Sequence, residues 1–198
     1  MTDIVLTGVG GQGIVFASNL LATAAMNNGY KVKLTHRKGL AQRGGSVLSF
    51  VRIYQNTNVS PIIPFSKADL LLGFEVLESL RNINYVKSNG VAVINFRKIE
   101  PVNIKIGMHQ YPSDDEIRRI LNNSSIKYYL IDAREIALST NNPRGENVAL
   151  VGFAAGLELL PISKDALIEA IRTISPPKYA ELNIRTLERA YQRAQEVK

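Results

Sequence analysis

The 198-residue chain contains no cysteine. That excludes disulfides, thiolate nucleophiles and cysteine-held iron–sulfur clusters on this polypeptide. Histidine is nearly absent too, with only His36 and His109, far apart in sequence. Neither belongs to a recognisable metal-ligand spacing. No apolar run reaches the about eighteen residues that would span a bilayer. The first residues lead directly into a strand pattern without a basic, signal-like segment, so a cytoplasmic protein with no membrane partner is expected.

Acidic residues are missing from Ile4 through Ala68, a stretch that carries Lys31, Lys33, Arg37, Lys38, Arg43, Arg52 and Lys67. The net charge is +7, and the remainder of the chain is close to neutral. A cationic block of this length attracts phosphates, nucleic acid or an acidic protein surface. No helix-turn-helix or aromatic RNA-binding signature accompanies it, so no nucleic-acid partner is expected.

Strand and helix patterns alternate. Ile4–Thr7 reads as a strand, Ile14–Asn28 as a helix ended by Gly29, and Lys31–Thr35 as a half-buried strand. His36–Gly45 reads as a basic loop and Ser46–Tyr54 as a strand. Asn56–Pro64 is a loop, Asp69–Gly73 a buried strand with Asp69 ending the loop before it, and Phe74–Lys87 a helix. Val91–Phe96 is a strand after the turn residues Asn89 and Gly90. A helix over Asp114–Leu121 and a strand over Lys127–Ile131 follow. The small residues of Asn147–Leu160 suit a closely packed helix, with Asn147 as its cap. Helices over Lys164–Thr173 and Lys178–Val197 close the chain. The expected fold is a three-layer α/β/α sandwich, Rossmann-like, with a mostly parallel mixed sheet and C-terminal helices. Ser46–Tyr54 follows its neighbour after only a loop and is expected to be antiparallel to it. One domain over 1–198 is expected, with a helical extension from about 163.

Two constellations point to ligand chemistry. Gly8-Val9-Gly10-Gly11-Gln12-Gly13 fits G-x-G-x-x-G between a strand and a helix, where backbone N–H groups can face a phosphate. The alternative is a tight turn with no ligand. An NAD site wants an acid roughly twenty positions further on. Lys33 to Lys38 offers cations there instead, which suits NADP, the ribose phosphate of coenzyme A, or a diphosphate held by another subunit. The second constellation runs from Lys38 through Gln42, Arg43, Gly44 and Gly45 to Ser46. Arg43 brings a planar fork for phosphate or carboxylate, and the paired glycines permit an anion nest. Glu75 sits after a strand end and Arg144 in a loop, each open to a ligand or a purely structural role. No nucleophile, base and orienting group can be assembled, and Ser46, Ser49 and Ser60 have no base that the sequence places near them.

Together the motifs resemble those of the gamma-type subunit or domain of the 2-oxoacid:ferredoxin oxidoreductases, especially the small (beta) subunit of the indolepyruvate branch. The resemblance rests on Gly8–Gly13, the run from Lys38 to Val47, Ser60-Pro61, Ala68 to Leu72 with Glu75, and Asn142-Pro143-Arg144 with Asn147. These pieces occur in family order over most of the chain. Lys38 stands where a histidine is common. The resemblance implies a non-redox subunit of an enzyme that oxidatively decarboxylates a 2-oxoacid, such as indolepyruvate or another aryl pyruvate, to an acyl-coenzyme A. It implies a hetero-oligomer in which a larger catalytic subunit holds thiamine diphosphate, magnesium and the iron–sulfur clusters and passes electrons to ferredoxin. This chain would then share coenzyme A through Gly8, Gly10, Gly11, Gln12, Gly13, Lys38, Gln42, Arg43, Gly44, Gly45 and Asn147. Two other readings are a stand-alone NADP- or nucleotide-binding enzyme and a basic nucleic-acid-binding protein.

Overall fold

The computed structural model describes residues 1–39, 45–56 and 59–198. Among them, six strands form one sheet in the order β2-β3-β1-β4-β5-β6. The strands are β1 (Thr2–Val9), β2 (Lys31–Lys38), β3 (Ser46–Tyr54), β4 (Ala68–Gly73), β5 (Val86–Asn95) and β6 (Lys127–Ile131). β1, β4, β5 and β6 pair in parallel, whereas β3 is antiparallel to both β1 and β2. The mixed sheet and the antiparallel β3 agree with the reading of the sequence.

One face of the sheet packs against α1 (Ile14–Asn27), α5 (Ala133–Ser139), α6 (Glu146–Gly156), α7 (Lys164–Ile174) and α8 (Pro177–Gln195). The other face packs against α2 (Val76–Asn82) and α4 (Asp114–Asn123). Strand alternation sorts the two cores. Ile4 and Leu6 face the five-helix layer, while Val5 faces the two-helix layer, and all three are fully buried. A buried aliphatic side chain of this size contributes about 1.5–3 kcal/mol, so a one-residue register slip in β1 would forfeit both cores.

α6 is buried along its length because α8 lies across it at backbone distance. A Cβ on Gly152 would stand 2.5 Å from the Leu187 carbonyl oxygen, and one on Gly156 2.4 Å from that of Tyr191. The small residues read from the sequence thus serve this crossing. Leu187, on the α8 side of the crossing, is fully buried in this chain's own core.

Several boundaries differ from the sequence reading. β2 runs on to Lys38 because Arg37 and Lys38 pair with Leu48 and Val47 of β3, which takes His36 out of the expected loop. The helix expected to reach Lys87 stops at Asn82, with a 3-10 turn at Ile83–Tyr85. β5 begins at Val86 and carries Asn89 and Gly90 within the strand, against a register shift in β4. Gly90 fits there because a Cβ would lie 2.8 Å from the Ala68 carbonyl oxygen. Asp69 belongs to β4 rather than to the loop before it, and it accepts the Asp3 N–H at 2.7 Å and pairs with Lys87.

Candidate anion-binding cleft

The glycine loop leaves the carboxyl end of β1. From there α1 carries the chain to β2 on one side, and after the β2–β3 hairpin the chain enters β4 on the other side. Ligands of open α/β sheets bind where the strand order reverses in this way. A cleft of about 510 Å³ lies there, lined by Val9, Gly10, Gly11, Gln12, Gly13, Phe74, Asn95, Arg97, Ile99, Pro143, Arg144, Glu146 and Asn147. A second cleft of about 240 Å³, walled by Phe16, Pro176 and Tyr179 with the amides of Asn142 and Asn183, shares Arg144 and Asn147 with the first.

The loop residues divide their work. Gln12 is a brace: its Oε1 accepts the Val9 N–H at 2.8 Å and its Nε2 donates to the Phe74 carbonyl at 2.7 Å, tying the ends of β1 and β4. Gly8 makes room for that brace, since a Cβ there would lie 2.7 Å from Gln12 Oε1 and from Phe74 Cβ. Gly13 precedes α1 at φ 77°, and its Cβ would strike Asn147 Nδ2 at 2.4 Å. Gly11, at φ 103°, has open space where a Cβ would stand. The Gly10 N–H donates to the Gly45 carbonyl at 2.8 Å, which fixes the exit of the basic loop beside the glycine loop. Gln42, Arg43 and Gly44 lie outside the described residues, and Lys38 closes β2.

Asn147 is the second residue of α6 and not its cap, a position that Gly145 takes. Its Nδ2 donates to the Gly13 carbonyl at 3.3 Å, so it joins α6 to the start of α1. Among the described residues no side chain caps α1. Its first-turn N–H groups are therefore left without a side-chain acceptor, and the helix dipole favours an anion at this end.

The charges on the cleft wall come from both sides of it. Arg97 extends from just past the end of β5 and pairs with Glu146 at 3.2 Å. Asn95 Nδ2 donates to the other Glu146 oxygen at 3.1 Å, while Asn95 Oδ1 accepts the Ala133 N–H at 3.1 Å. Arg144 is exposed, and among the described residues no carboxylate pairs with it. Two guanidinium groups against one carboxylate leave the cleft cationic. Asn95, Arg97 and Glu146 were not singled out in the sequence. Their signal is positional: Asn95 and Arg97 stand at the carboxyl end of a buried strand, where α/β sites gather.

Two buried carboxylates lie beside the cleft, Glu75 at the cap of α2 and Glu78 within that helix. Glu75, 1% exposed, caps α2 by accepting the Glu78 N–H at 2.8 Å. It also accepts the Ile99 N–H at 3.1 Å and the Tyr111 hydroxyl. Burial, then the hydrogen bond to Glu75, push the Tyr111 hydroxyl far above the usual phenol range. Glu78 accepts the Ser46 hydroxyl at 2.6 Å and pairs with Arg81 at 2.5 Å.

The sheet register brings to Ser49 a histidine that the sequence could not place. His36 and Ser49 stand opposite each other on β2 and β3, with Nδ1 2.7 Å from Oγ. Ser49 is fully buried, so its hydroxyl has no route to a substrate, and the contact is a cross-strand hydrogen bond. Arg52 is likewise removed from the cationic surface, because its guanidinium forks onto Asp3 at 2.8 Å through both Nε and Nη2.

Fold and cleft together define an α/β chain with a cationic cleft at its sheet's switch point. The sequence profile of the Pyruvate ferredoxin/flavodoxin oxidoreductase family matches residues 3–193. Indolepyruvate oxidoreductase subunit IorB of Thermococcus kodakarensis is 39% identical over 196 residues, covering 98% of this chain and 96% of that one. Pyruvate oxidoreductase subunit PORC of Thermotoga maritima superposes with a TM-score of 0.72 at 22% identity, covering 96% of this chain and 95% of that one. The 2-oxoglutarate:ferredoxin oxidoreductase of Magnetococcus marinus, solved with 2-oxoglutarate, coenzyme A and succinyl-CoA bound, superposes with a TM-score of 0.76 at 17% identity. That match covers all of this chain and 31% of the other. The chain belongs to the pyruvate ferredoxin/flavodoxin oxidoreductase family, as a gamma-type member, and the resemblance drawn from its motifs is borne out.

Proposed function

We propose that the chain is the small, non-redox subunit of a cytoplasmic 2-oxoacid:ferredoxin oxidoreductase acting on indolepyruvate or another aryl pyruvate. In this reading its cleft holds the phosphate-bearing part of coenzyme A beside the active site of a larger subunit. Thiamine diphosphate, magnesium and the iron–sulfur clusters belong to that larger subunit, which meets ferredoxin. When bound, coenzyme A supplies the thiol that accepts the acyl group. This chain's own residues bind and orient: the α1 amino end and Arg144 meet phosphate, and Arg97 stands opposite, held by Glu146.

The observation that carries this reading is the placement of Arg97 and Arg144 on a cleft floored by the glycine loop. The sheet order speaks against a dinucleotide instead. β3 stands between β1 and β2, so the carboxyl end of β2 lies two strand spacings, about 10 Å, from β1. A ribose at the glycine loop meets no residue of the next parallel strand there.

The test is the reconstituted complex with Arg144→Ala. A charge-assisted hydrogen bond to phosphate is worth about 1.5–3 kcal/mol, so KM for coenzyme A should rise roughly ten- to hundredfold. The unfolding midpoint of the isolated chain should stay unchanged, because Arg144 is exposed. Wild-type KM in both Arg144→Ala and Arg97→Ala complexes would remove coenzyme A from the cleft.

A further inference from the structure

We infer that Glu75 is a positioning residue for this cleft, acting through Ile99 and Tyr111 to hold Arg97 in place. The inference rests on the reading of the cleft as the coenzyme A side of the site. A helix cap needs one carboxylate oxygen, and Glu75 Oε2 supplies it to the Glu78 N–H at 2.8 Å. Oε1 is spent on residues far along the chain, the Ile99 N–H at 3.1 Å and the Tyr111 hydroxyl. The first residue of α2 adds a second tie, since the Val76 N–H donates to the Arg97 carbonyl at 3.0 Å. Arg97 and Ile99, both on the cleft wall, are thus fastened by their backbones to the start of α2.

Besides this clasp, the segment from Arg97 to Tyr111 is held by the Arg97–Glu146 pair and by Lys98, which pairs with Asp114. It contains only the four-residue helix α3 (Val102–Lys105), and Ile106 and Met108 are 65% and 67% exposed. Tyr111 closes the clasp. Its oxygen accepts the Leu77 N–H at 3.2 Å, so its own hydrogen is committed to Glu75. A carboxylate suits this arrangement because three donors converge on it from two sides. In a glutamine, one of the two acceptor oxygens becomes an N–H donor facing another donor. Glu78 works in parallel on the other wall: it holds Ser46, which follows the Gly45 carbonyl bonded to Gly10. Two buried acids of one short helix therefore brace both loops beside the glycine turn, and Glu75 governs the one that bears Arg97.

The experiment uses the assembled complex carrying Glu75→Gln, Tyr111→Phe or Arg97→Ala, with coenzyme A as the probe. KM and kcat are measured together with hydrogen exchange across residues 97–111. Loss of an accurately placed charged contact corresponds to about tenfold in affinity. Glu75→Gln and Tyr111→Phe should therefore each raise KM for coenzyme A toward the Arg97→Ala value, with kcat within about twofold of wild type. Exchange should rise in residues 97–111 and not in β1 or β4. Tyr111→Phe leaves the helix cap intact, so it decides the matter if Glu75→Gln fails to assemble. Faster exchange with a wild-type KM would overturn the positioning role while Arg97→Ala still raised KM and upheld the reading of the cleft. A wild-type KM in Arg97→Ala would remove Arg97 from ligand binding, and the positioning role with it.

Discussion

The two ends of β1 use the same residue types to opposite effect. At its amino end, Asp3 and Arg52 form a forked ion pair with side chains 2% and 9% exposed. The remaining Arg52 nitrogen donates to the Ser60 and Ile62 carbonyls at 2.9 and 3.4 Å. Donors and acceptors there consume one another, and the charges serve only to lock β1, β3 and the 60–62 turn. At the carboxyl end, Arg97 is half-exposed and shared with one carboxylate, Arg144 is unpaired among the described residues, and both border a cleft. A charged residue becomes a candidate for binding when its partners in the fold leave part of it unused. Burial together with full satisfaction marks a structural charge.

The sharpest way to break this contrast is Arg52→Ala. Removing one member of a buried pair leaves Asp3 uncompensated, which costs about 3–5 kcal/mol. The unfolding midpoint in urea should drop accordingly, whereas Arg144→Ala should leave it unmoved. Equal midpoints for wild type and Arg52→Ala would show that the amino-end pair is no more structural than the cleft arginines.

Gly13→Ala should come next in size. The added Cβ meets Asn147 and the residue must hold φ 77°, a conformation that costs a non-glycine residue about 1–2 kcal/mol before the steric clash is counted. Gly11→Ala meets no atom within 4 Å, so it carries only the strain of its positive φ and should destabilise the chain less. Paired chemical denaturation of the two variants checks the order. The reverse order would mean that the Asn147 contact yields without cost. On the expected order a bulky residue at Gly13 is a folding lesion, and the cleft itself is better probed at Arg97 and Arg144.

The smallest expected effect lies away from both ends of β1. Ser113 caps α4 in a reciprocal arrangement with Glu116: its hydroxyl accepts the Glu116 N–H at 3.3 Å, and Glu116 accepts the Ser113 N–H at 2.8 Å. Those bonds to Ser113 hold the Glu116 carboxyl below its usual range. A carboxyl depressed in the fold stabilises it above the unfolded-state pKa, and that contribution is lost as pH falls through the folded-state value. Ser113→Ala should cost about 1 kcal/mol near neutrality, and less at a pH where Glu116 is protonated. An equal loss at both pH values would separate the cap from the charge. Ligand affinity should not change.

Much of this was legible along the chain. β1, the glycine turn and α1 follow one another within the first 27 residues, and local patterns suffice for contacts so close in sequence. The antiparallel β3 followed from the shortness of its connection. The small residues of α6 announced a close helix crossing, which α8 supplies. The family motifs included the Asn142–Asn147 stretch, of which Pro143, Arg144 and Asn147 line the cleft, but not Asn147's bond to the start of α1, 134 residues away. The basic loop at Gln42, Arg43 and Gly44 remains a proposal from sequence.

What the sequence by itself determined is the alternation of elements, the absence of thiol redox chemistry and the location of the glycine turn. Periodicity, composition and backbone freedom are local properties, and they survive without any knowledge of neighbours. Only the tertiary structure decided which charges are spent. Arg52 and Arg97 look alike in the chain, yet one meets Asp3 across two paired strands and the other a cleft, because sheet order sets their surroundings. Glu75 reads as an ordinary helix-start acid until residues 24 and 36 positions later fold back onto its second oxygen. The strength of a buried charge depends on its partners and on the water it has lost, and both are fixed by contacts distant in sequence.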